Sequence, residues 1–210
     1  MEKLPEAYGQ QVEYLKLVWQ EKTYGLDRFV RLFLCCAQFF FPVLLIRDIA
    51  GRWGVRGRRL AVELYAVAKF IFPLLALWLG WYRHPAAAFF IIYLLCDTFI
   101  HLLHLIFLAD IHSAAISYRR SLLLIFLHYA EVVADFAVIY LSFGLLNQAV
   151  DPVSALYFSM VATTTVGFGD ITAKPGAGQL AVMAQLAICV VFIVVFINYF
   201  SQKPREGKGD

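Results

Sequence analysis

Thr163-Thr164-Thr165-Val166-Gly167-Phe168-Gly169-Asp170 is the stretch on which the reading of this chain turns. It stands between a short helix-like segment, 152–163, and a long apolar one, 178–200. Glycine admits left-handed backbone conformations closed to most side chains. Alternating Gly167 and Gly169 with Val166 and Phe168 lets neighbouring carbonyls face the same way, which regular strand geometry forbids. Thr165 adds a hydroxyl oxygen to that row. Oxygens stacked around an axis suit a cation that has left its water shell.

The surroundings are a membrane. The chain is 61% hydrophobic with a mean hydropathy of +0.71, against the roughly 45–50% apolar usage of soluble domains. Windows long enough for about 30 Å of hydrocarbon occur at 60–82, 86–109, 122–146 and 178–200. A fifth stretch, 29–46, is shorter and carries Arg31 and Pro42; it is read as a fifth span, with an interfacial or re-entrant course as the alternative. The expected fold is therefore an all-α membrane protein of four or five transmembrane helices, plus a re-entrant helix and loop at 152–170. Residues 1–28 are polar and carry no secretory signal. Cys35, Cys36, Cys96 and Cys189 lie in apolar segments and imply no disulfide framework. A net charge of +3 is too small to point to nucleic acid.

The residues Ala162 to Asp170 resemble the potassium-channel signature T-x-T-T-V-G-Y-G-D. Phe168 stands for the tyrosine, and Ala162 departs at the opening threonine. The resemblance covers about 122–203 and implies an outer helix, a pore helix, a selectivity filter and an inner helix. It further implies K+ binding by the oxygens of Thr165, Val166, Gly167, Phe168 and Gly169. The permeant ion would sit at Thr165, Val166, Gly167 and Phe168, with Asp170 at the outer mouth. One filter per chain requires a homotetramer to complete the pore. No cofactor is expected beyond the permeant ion, and no enzymatic activity.

Charge sorts by side. Arg47, Arg52, Arg56, Arg58 and Arg59, then Arg119 and Arg120, then Lys203, Arg205 and Lys208 fall on one side if the four strong segments alternate. Arg83 and Lys174 fall on the other. The positive-inside rule makes the first side, with the C-terminus, cytoplasmic. The filter then faces outward, as in the family it resembles. The expected location is the cell membrane, with several passes.

The segment before the filter obeys helix grammar. Asp151 suits the N-cap and Pro152 the first turn, where a missing N–H costs nothing. The carbonyl end near Thr163 would turn partial negative charge towards a resting cation. In the family the filter tyrosine often bonds polar groups on this helix. Here Phe168 has no hydroxyl, and the positions expected to face it are Phe158 and Ala162, so an apolar contact replaces the bond. Tyr157 is expected to hydrogen-bond Asp170, and Thr164 completes the supporting set. Val161 replaces a buried acid that some relatives carry. The inner segment 178–200 has no glycine beyond its first residue and no proline, so it has no mid-helix hinge. Ala184, Ala187 and Cys189 are small, and Asn198 lies near the inner end.

Residues 29–117 resemble a voltage-sensor region in outline alone. The segment 86–109 contains no Arg or Lys. Moving a charge through the membrane is worth about 2.3 kcal/mol per 100 mV, and without charges steep voltage dependence has no source. Polar residues do interrupt the helices: Asp97, His101 and His104 at helical spacing, His128, Glu131 and Asp135 likewise, and Lys69 mid-segment with Glu63 before it. The preferred reading is a buried network in which Lys69 pairs with Asp97 or Asp135. A proton sensor modulating the pore comes second, and a metal site third.

The domain organisation expected is 1–28, an amphipathic N-terminal segment; 29–117, a sensor-like membrane domain; 118–203, the pore; and 204–210, a short cytoplasmic tail. In the first, Tyr8, Val12, Leu15 and Trp19 share a helical face, suiting a helix on the membrane surface or one packed on its own protein. Gly25 ends that run, and Asp27 is a candidate cap for the next helix. Partners expected are lipid and K+, with regulation by ligands on the membrane domain or by a separate subunit. The rivals are a non-selective cation channel and, from another class, a membrane metalloenzyme built on the His and carboxylate stripes.

Overall fold

Among the described residues four helices are long and apolar enough to cross a membrane. The computed structural model describes residues 7–20, 25–108 and 118–201. In order these form α1 (Ala7–Gln20), α2 (Leu26–Ala37), α3 (Val43–Gly51), α4 (Gly54–Trp78), α5 (Pro85–Phe107), α6 (Tyr118–Ser142), α7 (Pro152–Thr163) and α8 (Ala177–Ser201). The spans are α4, α5, α6 and α8. The expected window 60–82 is shifted: α4 starts six residues earlier and takes in Arg56, Arg58 and Arg59. Gly80, at φ 74, supplies the left-handed residue beyond its end.

The centre of the fold is α6, where every residue from Glu131 to Tyr140 is buried. One face joins Leu102 of α5, Phe158 of α7 and Ile188, Phe192 and Val195 of α8 in an apolar cluster. Ala137 and Val138 face the other way, onto Ala76 and Leu77 of α4, Ile91 of α5 and Ala155 of α7. Apart from Glu131 and Asp135 this stretch is apolar on every side, which suits burial all round. By contrast α8 leaves Leu180, Met183, Val190, Ile193, Val194 and Ile197 exposed, a surface for lipid or for another copy of the chain.

Gly178 fixes how α8 enters. A Cβ there would clash with the Leu145 carbonyl oxygen and touch Ala173. Both atoms are backbone held in place, because Lys174 N–H donates to Leu145 O at 2.7 Å and Leu146 bridges to Ala173. Gly178→Ala is expected to lower the thermal midpoint of the purified protein, at a cost of about 1–3 kcal/mol. A midpoint unchanged from the parent would refute the close approach.

The expected fifth span, 29–46, is not one straight helix. Pro42 follows a break, and the helices on either side, Leu26–Phe40 and Val43–Gly51, are bent by 66°. Proline lacks the N–H that would continue the α2 ladder. Both far ends of the bent pair are tied to α1: Arg28 donates to Trp19 O at 2.7 Å, and Ala7 N–H donates to Asp48 Oδ1 at 3.2 Å. The break itself lies against Tyr93, whose hydroxyl donates to Phe40 O at 2.8 Å. Asp27 is not the cap of α2. Gly25 holds that position at φ 102, and Asp27 sits in the first turn, 4.0 Å from Arg31. The α1 face that packs is also displaced from the expected one: Ala7, Gln11 and Val18 are buried, whereas Val12 and Trp19 remain exposed. Gln11 moves the seam, since its Nε2 donates to Cys35 O at 3.1 Å.

Candidate functional site

The glycine-rich run begins where α7 stops. Asp151 caps the helix start, accepting from the Ser154 N–H at 2.6 Å, and that backbone bond holds its carboxyl below the usual carboxylate range. At the other end Thr164 Oγ1 donates to Met160 O at 2.8 Å. The next two N–H groups, of Thr165 and Val166, donate to Ala162 O and Val161 O at 3.0 and 3.1 Å. Positive φ then recurs at every second residue: Thr165 at 58, Gly167 at 60 and Gly169 at 78. Left-handed residues alternating with right-handed ones turn successive carbonyls to one side. Thr165 is the one non-glycine with positive φ among the described residues. For an L-residue that conformation costs roughly 1–2 kcal/mol, and such strain gathers at functional positions. Residues 164–170 are all exposed in the single chain. A cavity of about 320 Å³ lies beside the run, between Val161 and Ala162 of α7 and Val182 and Leu186 of α8.

At the outer end Phe168 does not meet Phe158 and Ala162 as expected. Its ring lies parallel to Tyr157, centroids 6.5 Å apart and planes 1° apart. The reason is helical phase: Phe158 packs edge-on to Tyr140 at 5.0 Å and borders the cavity beside the run, whereas its neighbour Tyr157 faces the Phe168 ring. The Asp170 carboxylate lies near the Tyr157 hydroxyl and pushes the phenol above its ordinary pKa. Gln148 Nε2 donates to Asp170 O at 3.1 Å, and Asn147 Nδ2 to Thr172 Oγ1 at 2.8 Å. The mouth is thus tied to the loop after α6.

Sequence reasoning missed the polar knot behind the filter. Gln185 of α8 is fully buried. It accepts from the Tyr140 hydroxyl at 2.6 Å and donates to Ser159 Oγ at 2.8 Å and Thr163 Oγ1 at 2.5 Å. Ser159 Oγ in turn donates to Val133 O at 2.7 Å. One amide therefore joins α6, α7 and α8 just below the run. A glutamine alone in the middle of an apolar helix was the available signal, since apolar surroundings demand that it be satisfied. Gln185→Leu strands several buried groups at about 1–3 kcal/mol each. The expected result is a lower thermal midpoint of the purified protein; an unchanged midpoint would show the knot to be dispensable.

The intramembrane charges converge on Lys69. Its Nζ lies 2.9 Å from Asp97 Oδ2, 3.3 Å from Glu131 Oε1 and 2.5 Å from Thr98 Oγ1. Tyr65 donates to Asp97 at 2.9 Å, Thr98 to Glu131 at 2.8 Å, and His128 Nδ1 lies 2.7 Å from Glu131 Oε2. Asp97 was one of the two partners expected for Lys69. Asp135 is not the other: it lies one turn beyond Glu131, fully buried, and neither carboxylate oxygen makes a hydrogen bond. His101 is exposed, its ring 5.6 Å from that of His128, whereas His104 is buried. The stripe Asp97, His101, His104 keeps one face: all three line one cavity, with His101 the exposed member. Among the described residues no three His, Cys, Asp or Glu side chains are grouped so as to hold a metal ion.

Residues 127–206, from within α6 through the run and α8, match the model of a family described as ion channel. That segment, less than half of the chain, is similar to ion channels. A segment of 61 residues is 33% identical to "Probable potassium channel protein 2" of Methanocaldococcus jannaschii, covering 29% of this chain and 18% of that protein's length. No solved structure matches the chain. The matched segment contains the run, the Gln185 knot and the α6 half of the charge network; α1–α5 precede it.

Proposed function

We propose that this chain is one subunit of a homotetrameric, potassium-selective channel. The single observation that carries the reading is the alternation of positive φ at Thr165, Gly167 and Gly169 immediately beyond a helix C-terminus. That backbone presents the oxygens of Thr165, Val166, Gly167 and Phe168 as a ladder, and four ladders replace the hydration shell of K+. Asp170 gathers cations at the mouth. The exposure of 164–170 and of the apolar face of α8 in a single chain supports assembly around an axis. The chain passes ions without catalysing a reaction.

The charge distribution supports a cytoplasmic C-terminus and an outward filter. The α1 ties to Arg28 and Asp48 support placing both ends of the bent α2–α3 pair on the cytoplasmic side, with its tip dipping in as far as Tyr93. The N-terminus is then cytoplasmic too, and four helices span. With no cationic ladder on α5, gating is not strongly voltage-dependent.

The test is a reversal potential in planar bilayers under a potassium-versus-sodium gradient. A value close to the potassium equilibrium potential is expected. A value near zero with robust current would replace this reading with a non-selective cation channel, which the missing hydroxyl of Phe168 favours.

A further inference from the structure

A chamber of about 410 Å³ opens between α3, α4, α5, α6 and the inner end of α8. We propose that it binds a single-chain amphiphilic anion, of which a fatty carboxylate is the simplest form, with the head on Arg47 and the chain along the apolar walls. Those walls are supplied by Val62 and Ala66 of α4, Ile100 and Leu105 of α5, and Leu124 and Ile125 of α6. The volume lies in the range of small-molecule sites, about 300–1,000 Å³, and is too small to enclose a two-chain lipid.

Charge selects the head group. Arg47 is mostly buried, and among the described residues no carboxylate pairs with it. Its electrostatic neighbours are Arg58, which repels it, and Tyr14. A shielded guanidinium with a cation beside it calls for an anion. The other cation of the chamber, Lys69, is already held by Asp97 and Glu131, so Arg47 is left as the anchor. His101 and His128 also line the space and add donors. Val195, Asn198 and Tyr199 of α8 form the remaining wall. Occupancy therefore bears on the inner end of the helix that follows the filter; that consequence alone rests on the channel reading.

The test is equilibrium binding of decanoate to the full chain in phosphatidylcholine nanodiscs, with empty discs subtracted. Saturable binding is expected, weakened about tenfold or more by Arg47→Gln, the effect of losing one charge-assisted hydrogen bond. Arg47→Lys keeps the charge and weakens binding less than Arg47→Gln does. Ala66→Phe fills the chamber from α4 and is expected to abolish binding, whereas Arg83→Gln, far from the chamber, leaves it unchanged. Decanol, without the charge, should bind more weakly than decanoate by a similar factor of about ten. Equal affinity of the parent and Arg47→Gln, equal affinity for decanol, or no saturable binding would each overturn the proposal. Loss of decanoate binding in discs containing phosphatidylglycerol would assign the same arginine to a lipid phosphate and overturn the single-chain assignment. None of these readouts uses ion flux, so they stand apart from the outcome of the reversal-potential experiment.

Discussion

Replacing Gly167 with alanine is expected to abolish potassium flux into reconstituted vesicles while the protein still folds and inserts. Gly167 sits at φ 60, and no atom lies within 4 Å of where its Cβ would be. The penalty is therefore conformational and not a clash within the chain. An L-residue held there costs roughly 1–2 kcal/mol, a cost repeated in every subunit of the proposed tetramer. The cheapest relief is to turn the peptide back to ordinary geometry, which swings a carbonyl out of the ladder. Gly51→Ala is the matched control, since Gly51 ends α3 with no positive φ and open space around it. Flux at the parent level in Gly167→Ala would remove the basis for reading the run as an ion ladder.

The second large effect is expected at Lys69. Lys69→Met leaves Asp97 and Glu131 facing each other without a cation, inside a helix bundle where neither is more than slightly exposed. Removing one partner of a buried ion pair costs about 3–5 kcal/mol. The variant should yield little folded protein, with a thermal midpoint well below that of the parent. Combining it with Asp97→Asn and Glu131→Gln removes the stranded charges, and most of the loss should return. A single variant as stable as the parent would mean that the cluster contributes nothing as an ion pair. Failure of the triple variant to recover would assign the loss to packing of the lysine stem.

These two sites differ in how far the sequence discloses them. The filter is local: its glycines, the Asp151 cap and the Pro152 turn act on their own backbone and their nearest neighbours. Composition and spacing therefore place α7, the run and the four spans, with ends displaced by a few residues where a polar helix start, such as Arg56 to Arg59, extends beyond the hydrocarbon. The fifth stretch is less legible, because Pro42 breaks an apolar segment of sufficient length into a bent pair that suits either a broken span or a re-entrant course.

What depends on helical phase between distant segments was decided by tertiary structure. Spacing put Asp97, His101 and His104 on one stripe, and they do line one cavity, but the packing of α5 against α4 and α6 decided that His101 is exposed and the other two buried. Spacing allowed Lys69 either Asp97 or Asp135; Asp97 is its partner, and the register of α4 on α6 brought Glu131 within reach in place of Asp135. Phe168 met Tyr157 and not Phe158 because Tyr140 had claimed Phe158 for the core. Gln185 carries no motif at all; it is explained by the hydroxyls that surround it. Local backbone preference is written in consecutive residues, whereas a side chain's partner is settled by how separate helices rotate and slide until their buried charges and amides are satisfied.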